Sequence, residues 1–173
     1  MSERARLLGL DDKALLAECE MDRYRASGAG GQKRNKTSSA VRLRHKASGI
    51  TAHSSDSRSQ HENKDRAIKR LREHVALDLR EPLPDGYLPS EAAIAAIKRG
   101  PMGKNAKTRS KPDYLLALAE LLDLFDAEEA ALGQAAKRLG VTTGSLGKLL
   151  LGDERLNRRV AEMRQQRGLK PLR

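Results

Sequence analysis

A glycine-rich stretch at residues 28–32, Gly-Ala-Gly-Gly-Gln, is the part of this sequence best suited to chemistry. Three glycines in four positions permit positive φ and let backbone N–H groups approach a ligand closely. The stretch fits neither familiar phosphate loop. Lys33 stands where a dinucleotide fingerprint needs its third glycine, and the Gly-Lys-Ser/Thr of a P-loop is absent. On glycine content alone, an ordinary surface loop remains the simpler interpretation.

Four other residues could supply a side-chain catalytic triad: Ser27, Ser38, His45 and Asp56. No nucleophile elbow surrounds either serine, so a triad is not favoured. The four histidines lack metal-ligand spacing and Cys19 is the single cysteine, so we expect neither a metal site nor a cofactor. We expect His45 to pack in a strand beside Leu43.

Positive charge is segregated along the chain. The 173 residues carry 34 Lys and Arg against 23 Asp and Glu, a net charge of +11. Residues 23–80 hold 15 basic and 5 acidic residues, a net +10, and residues 155–173 hold 7 and 1, a net +6. Clustered positive charge attracts phosphate backbones, which favours a nucleic-acid partner. The alternative is a basic surface that binds nothing.

Length and composition exclude several classes of protein. The chain is long enough for one domain of ordinary size, or a small domain with a satellite. Its longest apolar stretch, residues 114–125, is interrupted by Glu120 and Asp123, so no membrane span is expected. Residues 1–22 lack the apolar region of a secretory signal. With one cysteine, the sequence fits a reducing compartment, and we expect a cytoplasmic protein.

The first 80 residues predict a mixture of helix and strand. Spacing predicts a short helix, three strands and a long basic helix at residues 11–20, 21–25, 40–46, 50–54 and 59–79. Gly49 supplies the permissive backbone for the turn between the last two strands. An apolar stripe follows the long helix: Ile68, Leu71, Val75 and Leu79.

The remaining residues predict helices only. Ser90 caps a short helix that ends at Gly100, and four more are expected at residues 113–126, 129–139, 143–151 and 154–167. The predicted fold class is α+β, with a β-hairpin or short sheet packed on a long helix and an all-helical segment after it. The predicted division is residues 1–80, a linker with a short helix and basic loop at 81–112, and residues 113–173.

An ordered series of residues resembles the catalytic domain of class I peptide-chain release factors. It comprises Arg25–Gln32, then Asn35-Lys36-Thr37, Ser39–Leu43 and His45, then Ser48-Gly49-Ile50, Arg58-Ser59-Gln60, Asn63-Lys64 and Ala67. The resemblance covers about residues 21–80, and its order and spacing make it specific. The sequence departs from the family beside the motif, where many release factors carry His-Val and this chain carries Lys33-Arg34.

The resemblance implies that Gly30, Gly31 and Gln32 enter the ribosomal peptidyl-transferase centre. There they would promote attack of water on the ester that joins the nascent peptide to tRNA. A backbone N–H aimed at the tetrahedral oxyanion stabilises such a transition state. We assign that donor to Gln32, with the two glycines permitting its geometry and the Gln32 side chain shaping the water pocket. Gln32 is also a candidate for N-methylation.

Basic residues around the loop are expected to hold rRNA and tRNA phosphates rather than to read bases. They are Arg25, Lys33, Arg34, Lys36, Arg42, Arg44, Arg58 and Lys64. Some of the cations along the long helix, Arg66, Lys69, Arg70 and Arg72, are expected to face solvent only. The predicted partners are the ribosome, its rRNA and P-site peptidyl-tRNA. We expect a monomer with no membrane or DNA partner.

Stop-codon reading in this family uses a separate domain with a Pro-x-Thr or Ser-Pro-Phe tripeptide, and neither occurs in this sequence. The 22 residues before the core are too few for such a domain. The sequence therefore predicts a codon-independent peptidyl-tRNA hydrolase of the kind that rescues stalled ribosomes. Its basic tail could sense an empty mRNA channel through Arg155, Arg158, Arg159, Arg164, Arg167, Lys170 and Arg173. The alternatives are a ribosome- or RNA-binding module without release activity and a partner-dependent release factor.

Residues 128–151 also carry helix-turn-helix spacing. Ala136, Gly140 and Leu146 stand at its key offsets, and Leu139, Val141 and Leu149 would complete a small core. The second helix offers a single charged residue, Lys148, whereas major-groove readers usually present Arg, Asn or Gln. We therefore favour helix packing or ribosome docking over DNA binding for this segment.

Overall fold

The computed structural model describes residues 2–24, 39–84, 86–100 and 111–173. Within these ranges the elements are α1 (Glu3–Gly9), α2 (Asp12–Ala17), β1 (Cys19–Tyr24), β2 (Ala40–His45), β3 (Thr51–Ser54), α3 (Gln60–Asp78), α4 (Glu91–Arg99), α5 (Pro112–Ala127), α6 (Leu132–Arg138), α7 (Thr143–Gly152) and α8 (Glu154–Gln166). The predicted α+β class is confirmed. The chain divides into two compact units, Met1–Val75 and Ala76–Arg173. The division into residues 1–80, 81–112 and 113–173 stays a prediction.

The N-terminal unit contains a three-stranded antiparallel sheet in the order β1-β2-β3. Strand β2 alternates as predicted: Val41, Leu43 and His45 are buried, while Arg42 and Arg44 are exposed. This follows from the two-residue period of a strand with one face in a core. Strand β1 begins at Cys19, two residues earlier than predicted, because Cys19 pairs with His45 in the β1–β2 ladder.

The long helix α3 contributes Ile68, Leu71 and Val75 to the buried core of this unit. It ends at Asp78, so Leu79 lies outside the helix that the apolar spacing predicted to include it. Ser59 caps the helix, because its Oγ accepts a hydrogen bond from Glu62 N at 3.3 Å. The turn before β3 places Gly49 at φ +71°, as its predicted role requires.

Helix α3 is tied to the edge strand β3 by two side chains. Arg70 donates to the His53 carbonyl oxygen at 2.7 Å, and His74 Nδ1 donates to the Thr51 carbonyl oxygen at 2.8 Å. Arg72 reaches further in sequence and donates to the carbonyl oxygen of Leu10 at 2.7 Å, just after α1. These bonds satisfy carbonyl groups of an edge strand and a helix end that would otherwise need water.

The C-terminal unit is helical. Helix α5 is its apolar centre: it begins with Pro112 at the first helical position and buries ten residues, including Leu122 and Phe125. Helix α8 adds Leu156, Val160 and Met163 to the same buried cluster. The basic tail predicted from sequence is therefore, through Gln166, a helix with one apolar face in a core.

Helices α6 and α7 confirm the small core predicted from helix-turn-helix spacing. Ala136, Leu139, Leu146 and Leu149 are buried, and Val141 packs partly buried against them. Gly140 lies in the turn at φ +62°, and Thr142 Oγ1 caps α7 by accepting from Ser145 N at 3.1 Å. Across the described ranges, none of the helices is both long and apolar enough to span a bilayer.

Candidate functional site

The predicted catalytic residues Gly30, Gly31 and Gln32 lie outside the described residues, as do Arg25, Lys33, Arg34 and Lys36. These residues belong to the Gly-Gly-Gln segment, residues 25–38, and the structure describes the residues on either side of it, Tyr24 and Ser39. The chain leaves the sheet at Tyr24 and enters it again at Ala40, and these two residues are partners in the antiparallel ladder. Both ends of the segment thus start from one pair of hydrogen-bonded strands.

Arg42 and Arg44 are placed on the exposed face of β2, as predicted. The Arg42 guanidinium lies 5.6 Å from the centroid of the Tyr24 ring and 3.5 Å from the Asp22 carboxylate. Exposed ion pairs of this length are weak, so Arg42 can exchange its partner for a phosphate at little cost. The structure thus keeps cationic groups available beside the point where the segment leaves the sheet.

Arg58 and Lys64, the other two predicted contacts in the described ranges, lie before and within α3. Arg58 is exposed and Lys64 half-buried. Their neighbours Arg66 and Arg70 both point to Asp56, whose Oδ2 lies 3.6 Å and 2.7 Å from the two guanidinium groups. Sequence analysis missed this use of Asp56, because nothing in the local pattern shows that a turn carboxylate meets arginines 10 and 14 positions later.

Asn63 is buried near the start of α3 and bonds to the residue that follows the Gly-Gly-Gln segment. Its side-chain amide bonds to Ser39, the first described residue after the segment, and to Ser54 and Ser57. The sequence series that resembles release factors includes Asn63, but spacing alone gave it no role. The sequence could not have shown that Asn63 is buried, because asparagines are mostly exposed.

His45 is buried in the strand, as predicted, and forms part of a polar cluster. Its Nδ1 accepts from Ser48 N at 3.2 Å, so Nε2 donates to Glu18 Oε2 at 3.2 Å. Arg6 donates to the Glu18 carboxylate at 2.6 and 2.8 Å and to Glu3 at 2.8 and 2.9 Å. Hydrogen bonds from Arg6, and then from His45, lower the pKa of Glu18 to about 2.

Glu3, Glu18 and His45 also bring three possible metal ligands within 4.8 Å of one another. The Arg6 guanidinium already supplies a positive charge to both carboxylates, and these carboxylates in turn raise the pKa of Arg6. A cation would have to displace that bidentate partner. The cluster is therefore best explained as an ion pair that joins α1 to the end of α2.

The tail arginines are engaged within the C-terminal unit. Arg155 contacts Asp153 at 3.1 Å, Arg159 contacts Glu162 at 3.2 Å, Arg167 contacts Asp126 at 2.7 Å, and Arg164 donates to the carbonyl oxygens of Lys170 and Ala130. Arg158 is largely exposed beside Glu154, and Lys170 and Arg173 are exposed. Three of the seven predicted tail cations are thus exposed, and one of these, Arg158, pairs with Glu154 at 3.5 Å. RNA binding by the tail stays a prediction.

A family model described as the RF-1 domain matches residues 14–111, which is more than half of the chain. The chain belongs to the RF-1 domain family, and the resemblance to release factors found in the sequence is confirmed.

The relatives it matches are named peptide chain release factors. The chain is 54% identical over 107 residues to peptide chain release factor 1 of Paraburkholderia phymatum, covering 62% of this chain and 28% of that protein. It is 33% identical over 143 residues to the corresponding factor of Erythrobacter litoralis, covering 83% and 34%. It is 57% identical over 56 residues to peptide chain release factor 2 of Haemophilus influenzae, covering 32% and 15%. The chain thus spans about a third or less of the length of these relatives.

Proposed function

We propose that this protein hydrolyses the ester of peptidyl-tRNA held in the P site of the ribosome. The observation that carries this proposal is the ordered series of residues around Gly30, Gly31 and Gln32, which lies inside the region matched by the RF-1 domain model. A protein that only bound RNA would have no use for that tripeptide. The relatives that the chain matches are named peptide chain release factors.

The proposed chemistry needs one well-placed donor. Water attacks the ester carbonyl, the oxyanion that forms accepts from the Gln32 N–H, and the tRNA ribose oxygen leaves with a proton. Gly30 and Gly31 permit the backbone to approach the ester, and rRNA supplies the rest of the site. The antiparallel pair of Tyr24 and Ala40 supports this role, because it holds both ends of the segment that carries the donor.

Binding is proposed to rest on phosphate contacts. Arg42, Arg44 and Arg58 are exposed on the unit that carries the segment, and residues 23–80 have a net charge of +10. Contacts of this kind position a protein without reading sequence. The proposed partners are accordingly rRNA and tRNA of the large subunit.

We further propose that release is independent of a stop codon and serves stalled ribosomes. The support is the set of exposed cations on both units, because phosphate contacts position a protein without reading codon sequence. A channel-sensing role for the tail would fall to Arg158, Lys170 and Arg173, because their side chains are exposed, whereas the other tail cations are half-buried and bound within their own unit.

The test is the release of a labelled peptide from ribosomes whose P site holds peptidyl-tRNA. Three mRNAs are compared: one that ends at the P site, one with a sense codon in the A site, and one with a stop codon there. We expect release on the mRNA that ends at the P site. Release only with the stop codon would contradict codon independence. Absence of release on all three, with ribosome binding seen by sedimentation, would favour a binding module or a partner-dependent factor.

The tail is tested in the same assay by the triple variant Arg158→Gln, Lys170→Gln and Arg173→Gln. These side chains are exposed, so the variant leaves the core contacts of α8 in place. Truncation after Asp153 is a poorer test, because it would also remove Leu156, Val160 and Met163 from the core. Slower release on the short mRNA, with unchanged circular dichroism, is the expected result. Unchanged release would remove the channel-sensing role.

A further inference from the structure

Asn63 lies near the start of α3, and its side chain is fully buried, with 0% of the residue exposed. Its Oδ1 accepts from Ser57 N at 2.9 Å and from Ser54 Oγ at 3.2 Å. Its Nδ2 donates to Ser57 O at 2.7 Å and to Ser39 O at 2.8 Å. The amide therefore uses both donors and both acceptor positions, which is all that an asparagine side chain can offer.

The orientation of this amide is fixed by its partners. The nitrogen faces two carbonyl oxygens, which can only accept, and the oxygen faces a backbone N–H and a hydroxyl, which can donate. A flipped amide would place oxygen against two carbonyl oxygens and nitrogen against an N–H. Since no hydrogen atom is needed to distinguish the two, the assignment follows from the network itself.

The hydrogen bonds of Asn63 join α3 to three other parts of the chain. Ser54 ends β3, Ser57 lies in the turn that leads into α3, and Ser39 connects residues 25–38 to β2. The bond to Ser39 spans 24 positions in the sequence. Tyr24, which precedes residues 25–38, is held by its pairing with Ala40. One end is thus fixed by the sheet and the other by the sheet and by Asn63.

We propose that Asn63 is a positioning residue for the Gly-Gly-Gln segment, and that its Nδ2 holds the carbonyl group of Ser39, the residue through which the segment joins β2. This inference rests on the proposed function. Asn63 touches no reacting atom in this account; it acts through the backbone of Ser39. A partly buried carbonyl oxygen that loses its donor is costly, so the chain at Ser39 would rearrange without Asn63. Small misplacements of a catalytic group lower rates strongly.

The test is the variant Asn63→Asp. The new carboxylate keeps an oxygen for Ser57 N and Ser54 Oγ but presents a second oxygen to Ser39 O and Ser57 O, where a donor is required. We expect the release rate at saturating protein to fall by about 10- to 100-fold. The concentration that half-saturates ribosomes should change by less than about twofold, because the phosphate-binding cations are untouched. If Asn63→Asp does not fold, Asn63→Ser replaces it, since a serine hydroxyl is too short to reach both carbonyl oxygens.

Two controls separate positioning from loss of stability. His45→Asn alters an equally buried, hydrogen-bonded side chain at the opposite end of β2. Ser54→Ala removes one bond to Asn63 Oδ1 and leaves both bonds from Nδ2. We expect both controls to release peptide at close to the wild-type rate at a temperature where they are folded. An unchanged rate in Asn63→Asp, or an equal fall in Asn63→Asp and His45→Asn, would overturn the proposal.

A second readout does not depend on release activity. Hydrogen exchange of peptides that cover residues 25–41 is compared in the free wild type and variants. We expect faster exchange in Asn63→Asp than in His45→Asn, and equal exchange would overturn the positioning role. If the wild type releases no peptide but this difference is present, the proposed function fails while the anchoring of the segment stands.

Discussion

Glu18 shows how much one residue's environment changes its chemistry. The carboxylate accepts from Arg6 at 2.6 Å and from His45 at 3.2 Å, and the pKa falls from its usual value of 4.5 to about 2. Because the folded pKa is the lower one, the ionised carboxylate stabilises the fold. That contribution is present above the unfolded pKa and is lost as the pH falls through the folded pKa.

We therefore predict that the stability advantage of the wild type over Glu18→Gln decreases as the pH is lowered from 4.5 to about 2. Urea unfolding followed by circular dichroism at a series of pH values measures it. Glu20→Gln, which removes an exposed carboxylate two residues later, is the matched control. An advantage of Glu18 that stays constant over this range would contradict the account of its pKa.

Local sequence pattern predicts the burial of a residue when that burial depends on neighbours close in sequence. The alternation of β2 placed Val41 and Leu43 inside and Arg42 and Arg44 outside, and it also placed His45 in the strand. The bond from His45 to Glu18 was not predictable, because Glu18 lies 27 positions away at the end of α2. Asn63 illustrates the same limit: its bond to Ser39 depends on how β2 and α3 meet, which no local pattern contains.

At the scale of elements, capping residues and apolar spacing predicted most helices. Asp11, Ser90 and Thr142 cap their helices as this rule requires. The tail carries two signals. The sequence predicts a helix at residues 154–167 and RNA contacts by its cations; the structure has the helix, with Leu156, Val160 and Met163 in a core, and the RNA contacts stay a prediction. Charge and periodicity were both visible in the sequence, and periodicity determined the structure.

Helix α5 carries a buried ion pair that we predict to be important for stability. Asp123 is 3% exposed, and its Oδ1 lies 2.9 Å from Arg80 and 3.3 Å from Glu81 N. Asp123→Ala leaves the Arg80 guanidinium without this partner and should lower the free energy of unfolding by about 3–5 kcal/mol. Urea unfolding of the full chain measures it.

Asp126 on the same helix is the matched control. Its ion pair with Arg167, at 2.7 Å, is partly exposed on both sides. Asp126→Ala should therefore cost less than about 1 kcal/mol. A similar loss of stability in both variants would show that burial of the Asp123 pair is not what makes it important.

At the scale of the whole molecule, the proposed binding to the ribosome depends on the charge distribution. Each phosphate contact releases counterions, so ribosome affinity should fall as salt concentration rises. We predict that the double variant Arg42→Gln and Arg44→Gln lowers the slope of log affinity against log salt by about 2. Binding to large ribosomal subunits at several potassium chloride concentrations measures this slope.

The control for this prediction is Lys13→Gln with Lys98→Gln, which removes the same charge from exposed sites on α2 and α4. Its slope should match the wild type. If the two double variants change the slope equally, net charge rather than the exposed face of the sheet controls binding.

We have proposed that the Gly-Gly-Gln segment performs ester hydrolysis on the ribosome. The single-turnover rate of peptide release by Gly31→Ala, with Gly9→Ala as the control, tests this proposal. Gly9 has ordinary backbone angles and open space around a new Cβ, so the same chemical change there should be silent. We predict that Gly31→Ala binds ribosomes as the wild type does and releases peptide at least about 100-fold more slowly. Equal release rates for Gly31→Ala and Gly9→Ala would contradict the account.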